Sequence, residues 1–63
     1  MPSEWRFAEV HKLLMANGFV LIRIRGSHHV YRKAGERPMI VPVHRGRVEY
    51  VYVREIQKRI EGN

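Results

Sequence analysis

The chain has 63 residues, and its 12 Lys and Arg against 6 Asp and Glu give a formal net charge of +6. We expect one domain over residues 1–63, because a hydrophobic core is hardly viable in much shorter chains. Cysteine is absent, which excludes disulfides and thiolate metal sites and allows an intracellular, cytoplasmic location. No apolar run approaches the ~20 residues of a membrane span, so we expect a soluble, compact, basic domain.

The positive charge is mostly arginine. Nine of the basic residues are Arg and three are Lys, while all the acids are Glu. The guanidinium group offers paired donors that match phosphate oxygens. This composition favours an anionic partner such as a nucleic acid over a surface that is charged only for solubility.

The chain begins with an amphipathic helix, which we predict over residues 3–17. Ser3 is a suitable N-cap and Glu4 suits the first turn, while Gly18 is a natural residue just past the C-terminus. The apolar residues at helical spacing are Phe7, Val10, Leu13 and Leu14. His11 lies between polar neighbours, so we expect it on the surface.

A β-hairpin follows the helix. Residues 19–25 are β-branched and apolar, and residues 28–32 resume the extended pattern after the turn at Gly26-Ser27. Strict alternation in the first strand would separate two sets of side chains: Val20, Ile22 and Ile24 on one face, and Leu21, Arg23 and Arg25 on the other.

A third strand and a second helix complete the predicted fold. After a turn at 34–37, residues 38–43 contain two prolines, which suit an edge strand, and residues 45–47 read as a loop. Residues 48–53 would pass as a fourth strand, but helical spacing favours a helix over residues 50–61, ending at Gly62. The prediction is an α+β two-layer sandwich of order α-β-β-β-α, with both helices on one face of a three-stranded antiparallel sheet.

The residue inventory favours histidine chemistry without a metal or other cofactor. Thiol chemistry is excluded, and the absence of Asp with scattered Glu disfavours a carboxylate-held cation. Neighbouring His28 and His29 would point to opposite faces of a strand, which disfavours a zinc site. Histidine can transfer protons near neutral pH unaided.

A basic cluster surrounds the two histidines. Arg23, Arg25 and Arg32 flank them in sequence, and His44 ends the neighbouring strand. Such a cluster could hold an RNA phosphate and offer an imidazole to a ribose 2′-hydroxyl, which would attack the adjacent phosphorus. Alternation alone leaves open whether His28 or His29 would act, since both faces carry apolar residues.

The stretch NGFVLIRIRGSHHVYR at 17–32, followed by IVPVH at 40–44, resembles the HicA toxin family. Its members are small mRNA interferases of HicAB toxin–antitoxin systems, and their fold is similar to a double-stranded-RNA-binding domain. The resemblance covers essentially the whole chain. It implies ribosome-independent RNA cleavage, a catalytic histidine at His28, a matching glycine at Gly26, and a HicB antitoxin that covers the active-site face.

The basic cluster and the family resemblance together give seven candidate RNA contacts: Gly26, Ser27, His29, Arg23, Arg25, Arg32 and His44. His29 and His44 are also candidate second proton carriers. The family's usual cap before the last helix is absent here, and its place is taken by Tyr50-Val51-Tyr52-Val53. Tyr50 or Tyr52 could stack on a base, although we expect at least one of them to pack on the sheet. Two alternatives remain: an RNA-binding module of the same fold without cleavage, and a subunit that mainly binds a partner protein.

Overall fold

The computed structural model describes residues 4–62, which form two helices and five strands. In chain order the elements are β1 (Glu4–Arg6), α1 (Phe7–Ala16), β2 (Val20–Arg25), β3 (His28–Arg32), β4 (Met39–Pro42), β5 (Arg47–Glu49) and α2 (Tyr50–Glu61). Neither helix of this described region is long and apolar enough to cross a membrane.

The main sheet is antiparallel, with strand order β2-β3-β4, and the predicted α+β class is confirmed. Pro42 lies in β4, an edge strand of this sheet, where its missing N–H is tolerated. The core fills the space between the sheet and the helices. Its fully or nearly fully buried side chains are Val10, Leu14, Phe19, Tyr31, Met39, Val41, Val48, Val53 and Ile56.

A second, two-stranded sheet, which the sequence patterns did not predict, joins β1 to β5. Trp5 lies opposite Val48. The Val48 side chain is buried in the core, and the Trp5 side chain packs against it. The predicted helix over residues 3–17 is therefore wrong in its first turn, since residues 4–6 are extended. The helix begins at Phe7, whose N–H donates to the Gly46 carbonyl at 2.8 Å. The Ser3 cap lies outside the described residues.

The C-terminal helix has the predicted bounds. It ends at Gly62, whose φ of 79° is the left-handed conformation that favours glycine at this position. Val53 and Ile56 are buried and Tyr52 packs against the core, as expected for one of the two tyrosines. The predicted loop at 45–47 is wrong at its last residue, because Arg47 begins β5.

A β-bulge in β2 overturns the predicted alternation of that strand. The register passes from Leu21 opposite Tyr31 to Arg23 opposite Val30, which leaves Ile22 as an extra residue. One added residue reverses the face of everything beyond it. Leu21 and Ile24 consequently lie on the same side of the sheet as the helices, where Leu21 packs against the core and Ile24 is 57% exposed.

Candidate active site

His28 lies at the start of β3 on the side of the sheet away from the helices, and its side chain is exposed. In the two antiparallel registers it is directly opposite Arg25 of β2 and Pro42 of β4. Directly paired residues point to the same face with Cα atoms only ~4.5–5.5 Å apart. The imidazole and the Arg25 guanidinium therefore share one end of the exposed face.

The uncovered face of the main sheet, here called the open face, combines basic and apolar residues. Successive register pairs place the following residues on it: Val20, Arg23, Arg25, His28, Val30, Arg32, Ile40 and Pro42. Three arginines and one histidine are on this face without any carboxylate among its paired positions. Its electrostatic potential is therefore positive, as a phosphate-binding surface requires.

The turn before His28 brings the backbone close to the surface. Gly26 has a φ of 58°, and a Cβ at this position would meet open space. Glycine is therefore favoured by backbone conformation rather than by crowding. The carbonyl of Ser27 accepts a hydrogen bond from the Val43 N–H at 2.7 Å, which fixes the turn against the continuation of β4.

His29 lies on the opposite side of the sheet from His28. Its ring packs against Phe7 of α1 with 4.6 Å between ring centroids, and Nδ1 is 3.4 Å from the Ser27 carbonyl oxygen. The side chain is half-buried between sheet and helix. The structure thus separates the two neighbouring histidines and brings only His28 onto the open face with the arginines.

His11 is half-buried, so the prediction that it lies on the surface is wrong. Its Nδ1 is 2.7 Å from the Tyr31 hydroxyl, and its ring also lies near that of Phe7. Burial raises the pKa of Tyr31 to about 12, so the hydroxyl keeps its proton at neutral pH. Phe7 and His11 are four residues apart on α1, and this helical spacing was the signal that could have placed His11 inward.

His44 is exposed and lies two residues beyond Pro42 along the same chain direction. It forms an isolated antiparallel bridge with Arg47, and a tight turn joins them through Arg45 and Gly46. Both turn residues have positive φ, 52° and 74°, the combination found in two-residue hairpin loops. This hairpin links the main sheet to the second sheet.

Arg6 and Arg47 form a pair that no sequence pattern indicated. They are directly opposite in the register of β1 and β5, and both are exposed. No spacing rule connects residues so far apart in the chain, so only the missed strand pairing could have revealed them.

A groove of about 670 Å³ lies between the helices and β1. Its charged lining comes from Arg6, Arg47, Glu4, Glu9 and Glu61. Its apolar lining comes from Trp5, Leu13 and Ile60, and none of its lining residues is on the open face. Within residues 4–62, no three His, Asp or Glu side chains are grouped closely enough to hold a metal ion.

Comparison with known proteins identifies the family. Residues 7–61 match a family model described as the HicA toxin of bacterial toxin–antitoxin systems. Comparisons with curated proteins and with solved structures gave no significant match. The match extends from the first residue of α1 to the last residue of α2, and so covers both helices and the entire open face. The chain therefore belongs to the HicA toxin family, and it is a toxin of a bacterial toxin–antitoxin system.

Proposed function

We propose that this toxin is a metal-independent endoribonuclease that cleaves mRNA in the cytoplasm without the ribosome, with His28 as the catalytic group. The observation that carries the proposal is the pairing of an exposed His28 with Arg25 on a face that also holds Arg23 and Arg32. An imidazole can transfer a proton near neutral pH, and guanidinium groups stabilise negative charge on phosphoryl oxygens.

The reaction is an internal transesterification of RNA. His28 accepts the proton of a ribose 2′-hydroxyl, and the oxygen attacks the adjacent phosphorus. The bond from phosphorus to the 5′-oxygen breaks, and a second group donates a proton to that oxygen. The products are a 2′,3′-cyclic phosphate and a 5′-hydroxyl end. Arg25 donates hydrogen bonds to the non-bridging oxygens as their charge grows.

We assign the second proton transfer to His44 rather than to His29. His44 follows Pro42 by two residues, so an extended backbone directs it to the same side as Pro42 and His28. The distance between the His28 and His44 backbones is then roughly 8 Å, which a bound phosphate can bridge. His29 packs on Phe7 under the sheet, where substrate does not reach.

The remaining contacts hold the RNA backbone. Arg23 and Arg32 lie further along the open face, and the Gly26-Ser27 turn allows close approach of the phosphodiester beside His28. We propose these four residues as positioning contacts. His29 supports the turn through Ser27 and is not proposed as an RNA contact.

We further propose that a HicB-type antitoxin inhibits the toxin by covering the open face. Ile40 is 55% exposed and lies opposite Val30 at the centre of this face. Exposed apolar side chains ringed by arginines suit a partner with an apolar centre and acidic edges. Replacing Ile40 with Asn should weaken the complex at least tenfold without destabilising the free toxin, as titration calorimetry would detect.

A cleavage assay with an excess of chelator tests the enzymatic proposal. Wild-type protein should cut a structured mRNA, whereas His28→Ala and His28→Asn should bind it but leave it intact. The ends can be examined for the cyclic phosphate. His29→Ala serves as the matched histidine control, and it should retain cleavage when the variant remains folded.

Each alternative result has a distinct meaning. Cleavage by both His28 variants would remove His28 from the chemistry. Binding by wild type without cleavage would leave an RNA-binding module of the same fold, and failure to bind RNA at physiological salt would leave a subunit that only binds its partner.

A further inference from the structure

We propose that the RNA path continues from His28 across β4 onto the second sheet, where Arg6 and Arg47 bind the phosphate backbone beyond the cleavage site. This inference rests on the proposed function and extends its substrate contacts to residues outside the open face. The path consists of His28, Pro42, His44, Arg47 and Arg6, which we call the basic row.

The hydrogen bonds around β4 place the second sheet beside the main one. The Val43 N–H donates to Ser27 on the β3 side, and the next N–H, that of His44, donates to Arg47 of β5. Successive N–H groups of an extended chain point in opposite directions. The strand β5 therefore lies on the side of β4 away from β3, and the backbone order continues from β3 through β4 and β5 to β1.

The side chains of the basic row share one outward side. Val41 is buried and Val43 packs on the core, so the alternating residues Pro42 and His44 point outward. On β5 the buried residue is Val48, and its neighbour Arg47 points outward.

The partner of Arg47 in β1 continues the row. Arg6 is directly opposite Arg47 and is exposed, whereas its neighbour Trp5 packs on the core. The bridge between His44 and Arg47 thus connects the outward side of the main sheet to that of the second sheet, and Arg6 and Arg47 also line the groove between β1 and the helices.

Two directly opposed arginines are unfavourable without an anion between them. Like charges at paired positions of antiparallel strands destabilise the pair. Among the described residues the single ion pair joins Arg59 to Glu36, so neither Arg6 nor Arg47 forms an ion pair with a carboxylate of residues 4–62, although Glu4, Glu9 and Glu61 line the same groove. A backbone phosphate between the two guanidinium groups would remove the repulsion and supply acceptors for their donors.

The charge pattern also bounds the path on one side. Glu4 and Glu49 form the next pair on the same side of the second sheet, two residues along the strands from Arg6 and Arg47. Two opposed carboxylates repel phosphate, so the RNA backbone cannot turn along β1 and β5. The length of the basic row is therefore the distance across the strands from His28 to Arg6.

That length corresponds to a few nucleotides. From His28 to Arg6 the path crosses three strand spacings and advances two residues along β4, which is about 15 Å. A stacked strand rises about 3.4 Å per nucleotide, so the row would accommodate about four nucleotides next to the cleavage site.

Binding of RNA oligonucleotides that lack the 2′-hydroxyl tests this path with the intact protein. We would use 2′-O-methyl RNAs of about four and about eight nucleotides, labelled for fluorescence anisotropy. Wild type should bind the longer RNA much more tightly. The double variant Arg6→Gln and Arg47→Gln should lose about tenfold of that affinity, and its salt dependence should fall by about 1.4 in logarithmic slope, about 0.7 per lost contact.

A control with the same loss of charge is Lys12→Gln with Arg54→Gln, two exposed helix residues outside the basic row. It should reduce binding only slightly. The Arg6 and Arg47 variant should melt at the same temperature as wild type or higher, since it removes a repulsion. An unchanged or higher melting temperature would show that weaker binding comes from lost RNA contacts and not from unfolding of the variant.

The outcomes distinguish the path from the function on which it rests. Equal losses in the two double variants, with cleavage still dependent on His28, would overturn the path and leave the nuclease. Failure of wild type to bind either RNA would overturn both. Loss confined to the longer RNA and to the Arg6 and Arg47 variant would support the path.

Discussion

The Arg25 backbone lies directly opposite that of His28 in the antiparallel pairing of β2 and β3. This relationship is secured by two strands joined through a two-residue turn, so the guanidinium and the imidazole are presented together without help from a loop. A site built on paired strands holds its groups more accurately than one built on mobile segments.

In the proposed reaction the Arg25 guanidinium stabilises charge that grows in the transition state, so replacing Arg25 with Gln should weaken RNA binding about tenfold and slow cleavage further. Steady-state kinetics should therefore give a lower kcat as well as a higher KM. Arg37→Gln removes the same charge from the loop before β4 and serves as control. A change in KM alone would limit Arg25 to ground-state binding.

Replacing Tyr31 with Phe should lower the free energy of unfolding by about 0.5–1.5 kcal/mol, because it deletes the hydrogen bond to His11 inside the sheet–helix interface. Urea denaturation measures this loss. A double-mutant cycle with His11→Ala should give a coupling energy of the same sign. Strict additivity of the two substitutions would mean that the 2.7 Å contact contributes nothing.

The same tyrosine predicts a loss of stability in alkali. Burial raises the pKa of Tyr31 from 10.0 to about 12 in the folded chain. The folded state then binds more protons than the unfolded state between these pH values, so the free energy of unfolding falls as pH rises through them. Denaturation curves of wild type should show a steeper decline there than those of Tyr31→Phe. Parallel declines would contradict the assignment.

Arg59 fixes the loop before β4 to α2. Its guanidinium donates to the carbonyls of Arg37 at 2.9 Å and Pro38 at 2.7 Å, and it lies 5.8 Å from the centre of the Phe19 ring. Arg59→Lys keeps the charge but loses the paired donors, and we expect about 1–2 kcal/mol less stability in urea. Lys58→Arg, an exposed neighbour, should change stability little.

Arg45 carries the one positive φ of a non-glycine residue within the described chain, 52°. Side chains other than Asn, Asp and Gly are disfavoured in this conformation. Arg45→Asn should therefore stabilise the protein by about 0.5–1 kcal/mol in thermal or urea unfolding. Gly46→Ala, at a φ of 74°, should do the opposite. Destabilisation by Asn would show that the Arg45 side chain makes a contact that outweighs its strain.

Local patterns predicted the helices and the main sheet because they are encoded over short distances. Turn residues at Gly26 and helical periodicity in residues 50–61 required no knowledge of distant partners. Two features escaped prediction because a distant strand determines them. Trp5 is extended through pairing with Val48, and Ile22 forms a bulge through the register with β3.

The candidate site was predicted in part for the same reason. The alternation rule correctly separates His28 from His29, but it cannot say which face the helices cover. That choice depends on Tyr31 and Val41, which are buried against residues of both helices. The half-buried position of His11 beside Tyr31 depends on the same packing, so only the three-dimensional structure could reveal it.

The pairing of Trp5 with Val48 joins the start of the chain to its last strand. During synthesis, β1 has no pairing partner until residues 47–49 of β5, which directly precede α2, have been made. A growing chain in which residues 47–49 have not yet left the ribosome therefore cannot close the second sheet, and the Arg6–Arg47 pair does not exist in it.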